Sequence, residues 1–400
     1  PTESATVFLQ QLGRGLRLAD DRHIVVVGDF VPLGDTDLAA LESTLTVTEA
    51  DGSSSSATGT GAAVLGGEEL KPPVDRIAQD GALSDEDLRF IMDVNLTEAL
   101  LCTRAVGPHM LERRSGKIIS IASCIFNLVV GILLFRKVWV HGIQTMNAGG
   151  WEAPFGITFV VDVFSAFLVL LTAVCGLAVT VYATGSIRPK LIRFGFFPIL
   201  HFLLMGLNGA FLTRDIFNFY VCFEVIIISS FVLITVGGEK IQIEGAVKYV
   251  TMNLLASIIF LTAIAILYGL TGSLNMADLS LKISEVENRK LVNITSVLFF
   301  VGFGIKSAIF PLYFWLPASY HSPPAAVSAI FAGLLTKVGI YAIVRVFTLI
   351  FIPDHFMREL IIWVAVLTIL SGGLGAIIQN NLREIFSYLI ICHIGFMLAG

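Results

Sequence analysis

The amino-acid sequence predicts an all-α polytopic membrane bundle of about nine transmembrane helices, one of them broken near Pro311, preceded by a soluble segment of mixed character. The mean hydropathy is +0.82, and 55% of the residues are hydrophobic, which is too apolar for an ordinary soluble protein. Several apolar runs reach the length of about 20 residues that a membrane helix requires. No run alternates polar and apolar residues over the length of a membrane strand, which disfavours a β-barrel.

Charged residues divide the chain at residue 117. Residues 1–117 contain 10 Lys/Arg and 19 Asp/Glu, whereas the 283 residues of 118–400 contain 16 and 12. We therefore expect a soluble, acidic segment over 1–117 and a transmembrane domain over 118–400.

The transmembrane domain contains nine candidate spans. They fall at 118–135, 156–183, 194–213, 216–236, 246–272, 291–316, 323–352, 360–379 and 384–400. Several are longer than one crossing requires, which predicts tilted or broken helices. Lys and Arg are nearly equally distributed between alternate loops, so this criterion does not predict the orientation of the domain.

Three ionisable residues, Glu224, Lys306 and Lys337, interrupt apolar spans. Each costs about 2.5–3.5 kcal/mol at the centre of a bilayer on insertion scales, so we expect them to face one another or water. At about 10 Å and an effective dielectric of about 20, Glu224 and Lys306 would be coupled by about 1.7 kcal/mol. This predicts a proton relay along the membrane plane. A static ion pair, and a Lys337 that extends to the interface, are the structural alternatives.

A proline follows Lys306 within the same apolar run. Pro311 cannot donate a hydrogen bond to the carbonyl of Ser307, so the helix should break or kink beside Lys306. Pro317 is then expected to end the segment. A broken helix with an ionisable residue at the break is typical of transporters.

Other polar residues are weaker candidates for the relay or its cavity. His201 is either a hydrogen-bonded packing residue or a relay member, His321 is placed at the rim of a cavity, and Asp162 near an aqueous end. The five cysteines are far apart and predict neither a metal site nor disulfides. We expect no cofactor, and no basic aromatic patch indicates nucleic acid as a partner.

Long stretches of residues 120–400 resemble the D subunit of Mrp-type multisubunit Na+/H+ antiporters, a family related to the proton-pumping subunits of respiratory complex I. The stretches include RDIFNFYVCFEVIIISS, FGIKSAIFPLYFWLPASYHSPPAAVSAIFAGLLTKVGIYAIVR and NNLREIFSYLIICHIGFMLAG. The resemblance implies that Glu224, Lys306 and Lys337 are the key ionisable residues. It also implies a multi-pass protein of the cell membrane that assembles with other antiporter subunits in the lipid bilayer and moves protons and a monovalent cation, Na+.

The sequence departs from the family pattern at both ends. The family's first helix is missing or replaced, and the chain stops at Gly400, before the expected second broken helix with its lysine. On this pattern we expect the transmembrane domain to be truncated at its C-terminus.

Residues 1–117 resemble fragments of soluble proteins. PTESATVFLQQLGRGLR is similar to the last motif of superfamily 2 helicases, with Arg14 and Arg17 at phosphate-facing positions, and the next segment weakly resembles 2-oxopent-4-enoate hydratases. LSDEDLRFIMDVNLTEALLCTRAVGPHMLERRSGKIISIAS resembles short-chain dehydrogenases, with Asn95 and Ser123 at family positions. No phosphate-binding loop, glycine-rich dinucleotide turn or Tyr-x-x-x-Lys accompanies them, so no complete functional domain is expected.

The two parts meet without a turn or a linker. GKIISIAS runs directly into CIFNLVVGILLF, which indicates a join between unrelated sequences. The leading hypothesis is a proton- and cation-translocating antiporter subunit, and not an enzyme. The alternatives are a soluble NAD(P)-dependent short-chain oxidoreductase fragment and a membrane scaffold subunit without transport activity.

Overall fold

The computed structural model describes residues 116–400 and, within the first part of the chain, two strands. Contacts divide the chain into two units, Pro1–Ala82 and Leu83–Gly400. In the first unit, β1 (Leu45–Thr48) and β2 (Ser54–Ala57) pair antiparallel. The rest of residues 1–115, including the predicted sites at Arg14, Arg17 and Asn95, lies outside the described residues.

Residues 116–400 are mainly helical. The helices are α1 (Gly116–His141), α2 (Val163–Ser186), α3 (Pro189–Arg193), α4 (Phe196–Leu212), α5 (Ile216–Thr235), α6 (Lys240–Thr271), α7 (Met276–Glu285), α8 (Arg289–Ser307), α9 (Trp315–Tyr320), α10 (Ala325–Ile330), α11 (Thr336–Leu349), α12 (His355–Ile378) and α13 (Leu382–Ala399). Strands β3 (Gln144–Asn147) and β4 (Thr158–Val161) form an antiparallel hairpin between α1 and α2.

The prediction of about nine transmembrane helices is confirmed. In the described part of the chain, eight helical segments are long and apolar enough to cross a membrane, and α4 is a shorter apolar helix beside them. Side-chain caps begin several of them, because an Asp or Asn oxygen accepts a hydrogen bond from an otherwise unpaired backbone N–H. Asp162, Asp215 and Asp354 cap α2, α5 and α12 in this way.

Short connections make neighbouring helices antiparallel. Helices α2, α5 and α8 begin at one end of the bundle, where β3 and β4 lie, and α4, α6 and α11 finish there. We call this the Asp162 end, because the cap of α2 lies there. The opposite end, where α5 finishes, is the Thr235 end.

The predicted break beside Lys306 is confirmed, and it comes before Pro311. Helix α8 ends at Ser307, and Ala308 adopts a left-handed conformation with φ 61°. The backbone N–H of Ile309 donates to the carbonyl of Gly304 at 3.1 Å. Pro311 lies in the irregular segment that leads to α9.

The expectation that Pro317 ends the segment is wrong. Pro317 is the third residue of α9, which continues to Tyr320. The first turn of a helix tolerates proline because its N–H groups have no partner within the helix.

A second irregularity precedes Lys337. The span predicted as 323–352 is a helical segment from Ala325 to Leu349 that contains a π-helical turn at Phe331–Leu335. A π-helical turn shifts the hydrogen-bond pattern by one residue and is frequent at functional sites.

The indole of Trp315 joins the two sides of the broken helix. Its Nε1 donates to the carbonyl of Ile305 at 3.0 Å, and both residues are buried. Replacing Trp315 with Phe would remove this hydrogen bond, which is worth about 0.5–1.5 kcal/mol, and would leave the carbonyl with the backbone N–H of Ala308 as its donor. We expect Trp315→Phe to lower the thermal stability of the detergent-purified chain.

Trp363→Phe is the matched control for that measurement. Trp363 lies on α12 and is 64% exposed, so removal of its indole N–H should leave the unfolding temperature unchanged. Equal unfolding temperatures for both variants would contradict a structural role for the Trp315 hydrogen bond.

Candidate functional site

Lys306 lies in the last turn of α8, immediately before the break. Its side chain is buried, and Nζ donates to Ser257 Oγ on α6 at 3.2 Å. The same Nζ lies 4.7 Å from the centre of the Phe223 ring, which is a cation–π contact. The C-terminal end of a helix also favours a cation, because the unpaired carbonyls there carry partial negative charge.

Glu224 is the neighbour of Phe223 on α5, and it interacts electrostatically with Lys306. Its Oε1 is buried and has no hydrogen-bond donor among the described residues. Glu224 also interacts electrostatically with Tyr249 on α6 and with Tyr220 on its own helix. A buried carboxylate oxygen without a donor is costly, so this position is poorly suited to a purely structural role.

Lys337 lies next to the second helix irregularity. Its Nζ donates to the carbonyl of Ala332, within the π-helical turn, and it interacts electrostatically with Cys175 on α2. The side chain is only partly buried.

Helix α11 crosses α8 beside Lys306. A Cβ added to Gly339 would lie 2.9 Å from the backbone nitrogen of Ser307, so only glycine allows this close approach. The crossing places Lys337 and Lys306 within two residues of the same helix contact. The structure thus places Glu224 close enough to Lys306 to interact electrostatically, whereas Lys337 approaches Lys306 only through the helix crossing and has its polar contacts elsewhere.

The two histidine candidates have local partners. His201 is buried, and its Nε2 lies 2.9 Å from Ser120 Oγ on α1, which corresponds to the packing alternative. His321 follows α9, and its Nδ1 lies 2.5 Å from the carbonyl oxygen of Pro317. The carbonyl of His321 accepts from Arg383 at 3.3 Å, so this residue lies at the contact between α9 and the start of α13.

Asp162 lies in a polar cluster that reasoning from the sequence missed. The arginine cluster consists of Asp162, Ser165, Arg214, Tyr341 and Arg345, at the Asp162 end. Arg345 contacts Asp162 at 2.5 Å and Arg214 contacts it at 3.4 Å. Arg214 also donates to Tyr341 Oη at 2.8 Å and to Ser165 Oγ at 3.0 Å.

The arginine cluster fixes the ionised state of Asp162. Burial by itself raises the pKa of this carboxyl, but the hydrogen bonds from Arg345 and from the backbone N–H of Ser165, with the charges of Arg345 and Arg214, lower the pKa from 3.8 to about 2. The cluster joins α2, the loop before α5 and α11, and thereby links the helices of Glu224 and Lys337.

Several of these partners gave no usable signal in the sequence. Ser257 and Tyr249 are ordinary polar residues on a long apolar helix, and only the packing of α6 against α5 and α8 brings them to the site. Arg345 could have been noticed, since it is a second cation in the span of Lys337, eight residues further on. Two turns of helix place it toward the Asp162 end.

Residues 213–400 match the family model of the NADH:quinone oxidoreductase/Mrp antiporter transmembrane region. The D subunit of the Na(+)/H(+) antiporter of Bacillus subtilis (strain 168) is 47% identical over 308 residues, which cover 77% of this chain and 62% of that protein. The corresponding D subunit of Alkalihalophilus pseudofirmus is 46% identical over 73% of this chain and 59% of its own length.

The fold is similar to that of solved assemblies. A chain of the Mrp complex from Dietzia sp. DQ12-45-1b superposes with a TM-score of 0.72 and 27% identity, covering 78% of this chain and 58% of that one. The chain thus spans about three fifths of the length of these relatives.

Residues 74–129 match the family model of short chain dehydrogenases. Of this match, the structure describes residues 116–129, which form the first half of α1. Ser123, a predicted family position, is buried in this membrane helix rather than placed on a sheet.

Loss of the Asp162 charge should destabilise the arginine cluster. With a folded pKa of about 2 and an ordinary value of 3.8, the stabilisation is complete above about pH 4 and is lost as the pH falls towards 2. We expect Asp162→Asn to unfold more readily than the parent at neutral pH, with the pH-linked part of the difference on the order of 2 kcal/mol. Thermal unfolding in detergent at several pH values measures it.

The matched control is Glu287→Gln, which removes an exposed carboxylate between α7 and α8. Its unfolding temperature should follow that of the parent at every pH. A deficit of Asp162→Asn that stays constant from neutral pH to pH 2 would contradict the role of the ionised carboxylate.

Proposed function

We propose that the membrane-spanning part of this chain belongs to the NADH:quinone oxidoreductase/Mrp antiporter family and that the chain is a proton- and cation-translocating subunit of a multisubunit Na+/H+ antiporter. Protons pass along the membrane plane through Glu224, Lys306 and Lys337. The related subunits are named for exchange of Na+ and H+, which is the basis for proposing Na+ as the cation.

The burial of Lys306 at the end of a broken membrane helix is the observation that carries the proposal. An apolar residue there would avoid the cost of placing an amine in the membrane interior. The described contacts of its Nζ are one serine hydroxyl and one aromatic face, with the carboxylate of Glu224 nearby. Such a group is held in place without a tight ion pair, so it can exchange a proton.

The proposed step is a transfer between coupled groups. A proton that arrives on Glu224 neutralises its carboxylate and removes the attraction that favours the ammonium form of Lys306. Lys306 then releases its proton towards Lys337 through intervening water, and Lys337 passes one onward in the same way. Glu224 then passes its proton to the neutral amine of Lys306 through water, which ionises the carboxylate and restores the ammonium form of Lys306.

The partners follow from the surface and from the relatives. Helices α12 and α13 carry exposed apolar residues such as Trp363, Ile377 and Phe386, which suit a lipid bilayer or another membrane subunit. The structural relative comes from an assembly described as the Mrp complex. We place this chain in the cell membrane as part of a hetero-oligomer.

Residues 1–117 are proposed to be a patchwork segment without a catalytic domain of its own, preceding the transmembrane domain of residues 118–400. The match to short chain dehydrogenases extends into α1, so its last residues are committed to a membrane helix. A dinucleotide-binding fold instead requires strands followed by a glycine-rich turn.

Substitution of the relay residues tests the proposed transport. Because removal of a proton-transfer group commonly costs about 100-fold or more, we expect Lys306→Ala to slow Na+-dependent proton movement by that factor in vesicles. Glu224→Gln and Lys337→Ala should have effects in the same direction. The chain is produced together with its partner subunits, and a pH-sensitive dye reports proton movement after addition of Na+.

Lys282→Ala is the matched control, because Lys282 pairs with Asp278 on α7, outside the membrane spans. It should retain the exchange rate of the parent. Full exchange by a correctly assembled Lys306→Ala variant would instead support a scaffold subunit without transport activity.

The segment of residues 1–117 should not bind a nicotinamide cofactor. We expect the purified full chain to give no saturable change in NADH or NADPH fluorescence, because the glycine-rich turn and the Tyr-x-x-x-Lys pair are absent from its sequence. Saturable binding would revive the oxidoreductase interpretation.

A further inference from the structure

An unbroken set of aromatic rings crosses the interior of the bundle. The helices α5, α6, α8 and α11 contribute one ring each. We call this set the aromatic layer, and its residues are Phe219, Phe260, Phe303 and Tyr341. All four are at most 2% exposed. Phe219 lies 6.4, 6.2 and 6.2 Å from the other three ring centres, and Phe260 lies 4.8 Å from Phe303.

The aromatic layer lies about one helical turn from the proposed relay. On α5, α8 and α11 the relay residue is three to five positions from the ring, and on α6 Ser257, which binds Lys306, is three positions away. This corresponds to about 5–8 Å along each helix. On α5 and α8, which begin at the Asp162 end, the ring comes before the polar residue in the sequence. On α6 and α11, which finish at that end, the ring comes after it. All four rings therefore lie on the Asp162 side of the relay.

Polar side chains occupy the other side of the relay. Towards the Thr235 end, Tyr249 Oη lies 2.6 Å from Ser230 Oγ, and Tyr249 interacts electrostatically with Glu224. Further along, Gln242 donates to the carbonyl of Ser322 at 3.4 Å. On this side, hydroxyl and amide groups therefore accompany the buried rings, whereas three of the four rings on the Asp162 side have no polar atom.

Close-packed rings exclude water. A buried water needs two to four polar partners, and the rings of the three phenylalanines provide none. The one polar atom of the layer, Tyr341 Oη, is occupied at the Asp162 end by the carbonyl of Phe211 at 2.9 Å and by Arg214 at 2.8 Å. The charges of the arginine cluster and the relay thus lie on opposite faces of an apolar layer.

We propose that the aromatic layer is a barrier that insulates the relay from water and protons at the Asp162 end. Without such a barrier, a wet path through α5, α6, α8 and α11 would carry protons down their gradient without moving a cation. The inference rests on the proposed relay. Its tests measure access and leak, neither of which requires Na+ exchange.

The first test is the proton leak of vesicles that contain the full chain with its partner subunits, under an imposed pH gradient and without Na+. Phe303→Ala and Phe260→Ala each open space in the layer, and each should speed the leak about tenfold or more, equivalent to a barrier lowered by about 1.4 kcal/mol. A double variant that combines Lys306→Ala with either of these substitutions should lack the extra leak, because that leak runs through the relay.

Phe300→Ala is the matched control on the same helix. Phe300 is also buried, but its ring packs against Phe347, at 5.9 Å, rather than against the aromatic layer. Its leak should equal that of the parent. An unchanged leak in both layer variants, with normal amounts of protein in the membrane, would overturn the proposal.

A second measurement leaves the aromatic layer intact and so does not depend on the stability of its variants. Ser257→Cys is placed in a chain whose five native cysteines are replaced by alanine, and a membrane-impermeant thiol reagent is added to each face of oriented vesicles. Protection from the reagent at the Asp162 end is expected. Labelling from that end at a rate equal to or above the rate from the Thr235 end would disprove the barrier, even if the chain exchanges Na+ for protons.

Discussion

The burial of the Lys306 amine at the broken end of α8 is the constraint on which the rest of the site depends. Inside a membrane, a helix can end only where other groups satisfy its freed carbonyls. Here Ala308 turns the chain in a left-handed conformation, Ile309 donates back to Gly304, and Trp315 donates to the carbonyl of Ile305. These contacts leave Lys306 facing Ser257 and Phe223 instead of serving as a cap.

The same physical solution occurs at Lys337. A π-helical turn, which needs no proline, releases the carbonyl of Ala332, and Lys337 donates to it. Both lysines thus lie at irregular helix positions, where partial negative charge from the backbone offsets part of the cost of an ammonium group. Gly339 allows α11 to approach Ser307 closely, so the two lysines lie beside one helix crossing.

Across the bundle the polar groups are sorted into levels. The arginine cluster joins α2, α11 and the loop before α5 at the Asp162 end, and the aromatic layer separates it from Glu224 and Lys306. Hydroxyl groups such as those of Tyr249 and Ser230 lie on the far side. Neighbouring helices run in opposite directions. A residue that precedes the relay on one helix therefore lies at the same depth as a residue that follows the relay on the next helix.

The sequence by itself determined the number of spans and the break beside Lys306, and it singled out Glu224, Lys306 and Lys337 as ionisable residues within apolar spans, because these features depend on local composition and on the missing N–H of proline. Pro317 shows the limit of local reasoning, since the first turn of a new helix accepts the residue that was expected to end one. Only the tertiary structure decided that Ser257 binds Lys306, that Asp162 is held by two arginines, and that Lys337 has separate polar contacts. These pairings depend on the rotation and depth of each helix, which an apolar surface in lipid leaves free until neighbouring helices pack.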